Sequence, residues 1–166
     1  MLTEYPLDIS AELRYAARWA YYRNPAFYDF DALGGDCTNF ISQCIYAGGA
    51  VMNYTPDTGW YYISPDDRAA AWTGVEYFAR FITSNKGAGP FGSVIPVRYA
   101  APGDVIQLGG AGRFYHSLLV IAVRGGIPYI AAHTRDANDV PLTAYRPERI
   151  RCLRIRSARR YSNGKI

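Results

Sequence analysis

The chain changes its hydrophobic period partway along, and this limits its possible folds more than any other feature. Up to about residue 82 apolar residues recur at three- and four-residue spacing. From about residue 105 they come in short β-rich runs bounded by glycine and proline. Helices first and an antiparallel sheet second give an α+β class. The segment "SAELRYAARWAYY" predicts a helix with Ser10 as N-cap, Glu12 in the first turn, and Leu13, Ala16, Ala17 and Ala20 as its apolar stripe. Asn24-Pro25 ends it, because the residue before proline disfavours helical angles. A second helix is expected over 37–47. Asp36 caps it in this reading, its carboxylate accepting from free backbone N–H groups. Phe40, Ile41, Cys44 and Ile45 form its core stripe, and Gly48-Gly49 its stop. "DDRAAAWTGVEYFARFI" predicts a third helix, interrupted near Thr73-Gly74.

Four strands are expected in the second half. Pro102-Gly103-Asp104 is turn chemistry leading into "VIQL"; "HSLLVIAV" and "IPYIAAHT" flank Arg124-Gly125-Gly126 as a hairpin, and "RIRCLRIR" is a last strand. The hairpin register carries a functional consequence. With a two-residue Gly125-Gly126 turn, Arg124 pairs with Ile127 and Leu118 lies opposite His133, which makes His133 a same-face diagonal neighbour of His116. A three-residue loop instead places Asp136 opposite His116 and turns His133 away. The tight turn is the preferred reading.

The chemistry centres on "LGGDCTNFISQC". Cys37 sits at a helix N-terminus, where free N–H groups and the positive end of the dipole favour thiolate. Asp36 opposes this as a neighbouring negative charge, so a catalytic cysteine needs a cationic partner. The chain holds only two histidines, His116 and His133, and three cysteines whose spacing matches no zinc pattern. Cys44, on the core stripe, and Cys152, on an apolar strand, are read as structural. No metal or cofactor is expected.

Here the chain resembles a known family. "GGDCTNFISQC", "PGDVI", "YHSLLVI" and "HTRDANDVPL" are similar to a bacterial amidase domain related to the NlpC-type and CHAP papain-like cell-wall hydrolases. The resemblance starts with "RWAYYRNPAFYDFD" and covers most of the chain. It implies a single papain-like amidase domain over 1–166, with the nucleophile helix packed on a small antiparallel sheet. It also implies a Cys-His-polar triad in which Cys37 attacks, His116 moves the proton and His133 orients the imidazole. Asp136 and Asn138 are alternatives for the third role. The implied reaction is hydrolysis of a peptidoglycan or peptide amide bond through a thioester. Its oxyanion would be held by the Cys37 N–H and a second donor, for which Tyr28 is the candidate; Asp36 organises the loop. Trp60 and Tyr61, in "GWYY", are candidates for a substrate groove.

Composition bounds the rest. The chain has 166 residues, 49% hydrophobic and 19% charged, as expected of a globular soluble domain. No apolar run approaches the roughly 18 residues of a membrane span. The N-terminus "MLTEYPLDIS" shows no signal peptide, so the expected location is the cell envelope or outside if a leader was removed, and the cytoplasm otherwise. Of the net charge of +4, "RPERIRCLRIRSARRY" carries seven arginines against one glutamate, read as a solvated strand and tail rather than a nucleic-acid site. Two other functions fit the same residues: an intracellular peptidase, deamidase or acyltransferase, or a catalytically silent module that binds wall polymer or a protein.

Overall fold

The computed structural model describes residues 1–162; the last four positions of the expected domain lie outside the described residues. The chain runs β1 (Leu2–Pro6), α1 (Ile9–Trp19), α2 (Cys37–Ala47), β2 (Tyr62–Ser64), β3 (Asp67–Arg68), α3 (Ala70–Thr73), α4 (Val75–Ser84), β4 (Gly89–Ile95), β5 (Val105–Gly109), β6 (Phe114–Arg124), β7 (Ile127–Ala132), β8 (Ala137–Pro141) and β9 (Arg149–Tyr161). The class is α+β. All strand pairs in the seven-stranded sheet are antiparallel. β9 organises it, pairing with β5 over Arg149–Leu153, with β4 over Cys152–Arg159 and with β1 over Ser157–Tyr161. Its alternating arginines stay at the surface, several over aromatic rings: Arg151 lies 3.9 Å and Arg159 3.5 Å from the ring centres of Phe114 and Phe91.

The two sheet faces have different partners. Leu119, Ala131, Val105 and Leu153 face α2, whose residues Phe40, Ile41, Cys44 and Ile45 are all fully buried. Trp60 and Trp72 complete this core. Leu118, Val120, Ile106, Leu108 and Ile130 form a second cluster on the opposite face, covered by Ile95, Val97, Leu142, Tyr145 and neighbours. The break expected in the third helix falls at Gly74, which caps both α3 and α4.

Three expectations are corrected. The cap of α1 is Asp8, not Ser10: its Oδ1 accepts from the Ala11 N–H at 3.0 Å. The buried stripe then passes through Glu12, Ala16 and Ala20, one helical turn apart, while Ala17 is exposed. Trp60 is a core residue rather than a groove residue, fully buried, with Nε1 donating to Ser42 Oγ at 3.0 Å. The hairpin closes as expected, Arg124 pairing with Ile127, but Ile121 is bulged out of the ladder: Ala122 pairs with Tyr129 and Val120 with Ile130. One extra residue reverses the facing of everything beyond it. Leu119 pairs with Ala131, so by alternation His133 follows Ala131 onto the α2 face, away from His116.

Glu12 generates a testable consequence. Burial, and secondarily the carboxylates of Asp8 and Asp104, raise its pKa well above the usual 4.5, and neither of its oxygens has a hydrogen-bond partner among the described residues. A raised carboxyl binds its proton more tightly when folded, so stability is lost as pH rises from the unfolded value toward the folded one. The melting temperature of Glu12→Gln relative to wild type will therefore climb between pH 4.5 and pH 8. A pH-independent difference would contradict the buried, protonated carboxyl.

Candidate active site

Gly34 and Gly35 hold φ of 94° and 108°, a left-handed backbone that lets the chain turn sharply into α2. A Cβ on Gly35 would sit 3.2 Å from Thr134 Oγ1, so this loop lies directly against the β7–β8 turn. Asp36 follows, completely buried, but its carboxylate does not cap the helix. Oδ1 instead accepts from the Phe30 N–H (2.9 Å) and Asn39 Nδ2 (2.8 Å), and Oδ2 faces His133 Nδ1 at 2.5 Å. The capping expectation is thereby corrected, with a chemical consequence: among the described residues no side chain accepts from the N–H groups of the first turn.

The Cys37 sulfur lies beside this free helix end. Burial raises its pKa above the usual thiol value of 9.0, and Asp36 adds to the rise. The N–H groups of Ser117 and Thr38 and the Thr38 hydroxyl, 3.8 Å away, offset part of it. Thr38 Oγ1 and Ser117 Oγ are 3.0 Å apart, and Gln107 Nε2 donates to the same serine at 3.1 Å. These bonds fix the helix start to β5 and β6. The thiol opens into a hollow of about 310 Å³ lined by Gly35, Thr73, Tyr77, Phe114 and Tyr115, among others.

His116 immediately precedes Ser117. Ser117 faces α2, so alternation sends the imidazole to the other face of β6, opposite Leu108. There it lines a second hollow of about 450 Å³ with Tyr115, Thr134, Arg135, Tyr145 and Arg146. Burial, and then the charge of Arg135, lower its pKa to about 4, so the ring is neutral at pH 7. No hydrogen bond joins it to Cys37 or, among the described residues, to any other group. A second bulge lies at this point: Leu108 pairs with His116 and Gly109 with Phe114, leaving Tyr115 as the extra residue. Tyr115 walls both hollows.

The candidates for the third role lie elsewhere. His133 is buried, stacked on Phe40 with ring centres 4.0 Å apart, and its Nε2 is 2.7 Å from the Trp19 carbonyl. With Nδ1 on Asp36, both ring nitrogens are committed, and it does not orient His116. Asp136 receives a two-pronged contact from Arg23, at 2.9 and 3.1 Å. Asn138 offers its main-chain carbonyl to the Tyr21 hydroxyl at 3.5 Å. Neither residue touches His116. Tyr28 is held by its backbone, its N–H on the Tyr62 hydroxyl and its carbonyl on Asn39, and it lines neither hollow. Tyr61 packs against Tyr54, ring centres 5.5 Å apart, and lines neither hollow.

Sequence reasoning missed Arg23 and Thr134. Arg23 reaches Asp29, Asp31, Asp36 and Asp136 within ion-pair distance, tying the chain before the glycine loop to the β7–β8 turn. Thr134 Oγ1 accepts from the Asp36 N–H at 2.7 Å and donates to Asp31 at 3.1 Å. Only the density of aspartates in "YDFDALGGD" could have signalled a basic partner. Thr134 and Arg135 have φ of 59° and 58°, a conformation that costs about 1–3 kcal/mol per non-glycine residue. Among the described residues no group of three His, Cys, Asp or Glu is placed to hold a metal, and no helix is long and apolar enough to cross a membrane.

Comparison with known proteins places this geometry in context. A family described as "Putative amidase domain" matches residues 7–155. A Bacillus subtilis (strain 168) protein named "Uncharacterized protein YhbB" is 33% identical over 136 residues, covering 79% of this chain and 42% of the relative. The chain thus spans less than half the length of that relative. No solved structure matches it.

The separation of thiol and imidazole predicts how each titrates in the free protein. Iodoacetamide alkylation of Cys37 will rise with pH toward a midpoint above 9, and the His116 ring protons will titrate near pH 4 by NMR. An alkylation midpoint below 7 would show an imidazolium already against the sulfur, contradicting two separate hollows.

Proposed function

The chain belongs to the family described as "Putative amidase domain", and on that premise we propose that it is a cysteine amidohydrolase of papain-like arrangement acting on peptidoglycan amide bonds. One observation carries the reading: a thiol lies at an uncapped helix N-terminus, beside the N–H of the residue that follows a neutral histidine. The similarity of "GGDCTNF" and "YHSLLVI" to the NlpC-type and CHAP enzymes supports a cell-wall substrate.

In this mechanism the start of β6, irregular at the Tyr115 bulge, shifts so that the His116 imidazole passes Tyr115 and reaches the sulfur. It takes the thiol proton, and the thiolate adds to the amide carbon. The tetrahedral oxyanion is met by the Cys37 N–H, which the displaced Asp36 carboxylate leaves free. The imidazolium then gives its proton to the departing amine, leaving a thioester on Cys37. A water molecule, deprotonated by the same imidazole, hydrolyses the thioester and restores the free thiol. The resting thiol and imidazole are both neutral, so the reactive ion pair forms only when substrate and histidine converge on the sulfur. Asp36 acts as a positioning group: it holds the loop, Asn39 and His133 in register with the nucleophile.

The raised thiol and its separation from His116 also favour a second reading, a silent module that binds wall polymer without cutting it. One assay divides the two. Wild-type protein incubated with purified muropeptides will release new amines. Cys37→Ala will release none, and His116→Ala will be slower by about 100- to 10,000-fold. Equal release by all three proteins would overturn the assigned roles. Binding of cell wall by wild type without product would favour the silent module. Masses of the products identify the bond cut.

A further inference from the structure

The larger hollow has a lining that the hydrolytic steps do not use. Arg135 and Arg146 enter it from two separate segments, the β7–β8 turn and the chain leading into β9. Elsewhere Arg23, Arg124, Arg151 and Arg154 each pair with a carboxylate. Among the described residues no carboxylate lies within ion-pair distance of Arg135 or Arg146, and none lines the hollow. Leu108, Ala144 and Pro147 give it an apolar floor, and Tyr115 and Tyr145 supply hydroxyls. Two exposed arginines without a carboxylate partner among the described residues, on the rim of a partly apolar hollow, suit a planar anion attached to a short organic chain.

The backbone supports the same conclusion. Thr134 and Arg135 occupy the two central positions of the turn joining β7 to β8, both left-handed, where glycine or asparagine would sit without strain. The strain places the Thr134 hydroxyl under the Asp36 N–H and puts Arg135 in the wall of the His116 hollow. Tyr115 is common to this hollow and to that of Cys37. One ligand can therefore cross Tyr115 with its amide at the sulfur and its anionic end among the arginines.

We propose that the His116 hollow is a carboxylate-binding subsite, in which Arg135 and Arg146 select substrates carrying a carboxylate close to the amide that is cut. The inference rests on the amidohydrolase reading for the position of that amide. It also gives the bound anion a part in activating the base. The charged groups facing His116 are Arg135 and Arg146; Tyr115 and Tyr145 are its other titratable neighbours in the hollow. A carboxylate neutralising Arg135 removes a charge that opposes protonation of the imidazole. A substrate of the right class thus makes His116 a stronger base as it binds.

The test uses binding alone, so it is independent of whether hydrolysis is found. N-acetyl-dialanine with a free carboxylate, and the same peptide as its C-terminal amide, are titrated into the full chain while the His116 ring protons are followed by NMR. The acid will raise the His116 midpoint from near 4 by about one pH unit, whereas the amide will bind at least about 10-fold more weakly and leave the midpoint in place. Arg135→Gly accepts the left-handed backbone and so keeps the turn, as an unchanged His133 signal will show, while losing the response to the acid. Arg146→Ala will weaken binding of the acid. The proposal is overturned if acid and amide act alike, if the acid has no effect up to about 10 mM, or if its effect survives in both variants. Failure here with amide hydrolysis intact would remove the subsite and leave the nucleophile. The reverse result would leave an anion-binding hollow without the assigned chemistry.

Discussion

The site depends on a single buried carboxylate. Asp36 has no exposed surface, yet it collects the Phe30 N–H, the Asn39 amide and the His133 ring. A buried carboxylate without such partners would cost several kcal/mol, so the positions of these partners are tied to it. They belong to the loop before Cys37, to α2 and to the end of β7. Because the carboxylate serves them, it does not cap α2, and the free helix end is left to the sulfur. The same residue thus raises the Cys37 pKa by its charge and keeps N–H groups available by its orientation. On this account, its main contribution to chemistry is geometric.

The two hollows hold apart the groups that the proposed mechanism brings together. The thiol is buried and protonated; the imidazole is half-buried and neutral in the other hollow that Tyr115 lines. Each is poorly reactive alone. In the proposed mechanism such a resting state makes the ion pair conditional on a ligand. The β-bulge at Tyr115 is the local reason. It inserts one residue beside His116, a tyrosine that lines both hollows.

What could be read from the sequence divides along local and long-range lines. The α2 boundaries, its buried stripe, the break at Gly74 and the Gly125-Gly126 turn all follow from nearest-neighbour chemistry, apolar periodicity and glycine punctuation, although the side-chain cap expected of Asp36 does not form. The role expected of His133 needed a register over many residues, and a single bulge at Ile121 reversed it. Nothing in "HSLLVIAV" marks that bulge, because Ile121 is as good a strand residue as its neighbours. β1, β4 and β8 were also missed. "TEYP", "GPFGSV" and "ANDVP" carry proline, glycine or charge, which edge and partly covered strands tolerate. The network of Arg23 with its aspartates joins residues more than a hundred positions apart and leaves no periodic trace.

The account stands on the imidazole of His116 reaching the sulfur of Cys37 during reaction. A crystal structure of the protein treated with the peptide aldehyde N-acetyl-alanyl-alaninal tests this most directly, since an aldehyde traps a nucleophilic thiol as a thiohemiacetal. The account predicts a covalent bond from Cys37 to the aldehyde carbon, with the His116 ring moved past Tyr115 to within about 3 Å of the new oxygen. A thiohemiacetal on Cys37 with His116 still beside Tyr145 and out of reach would contradict it.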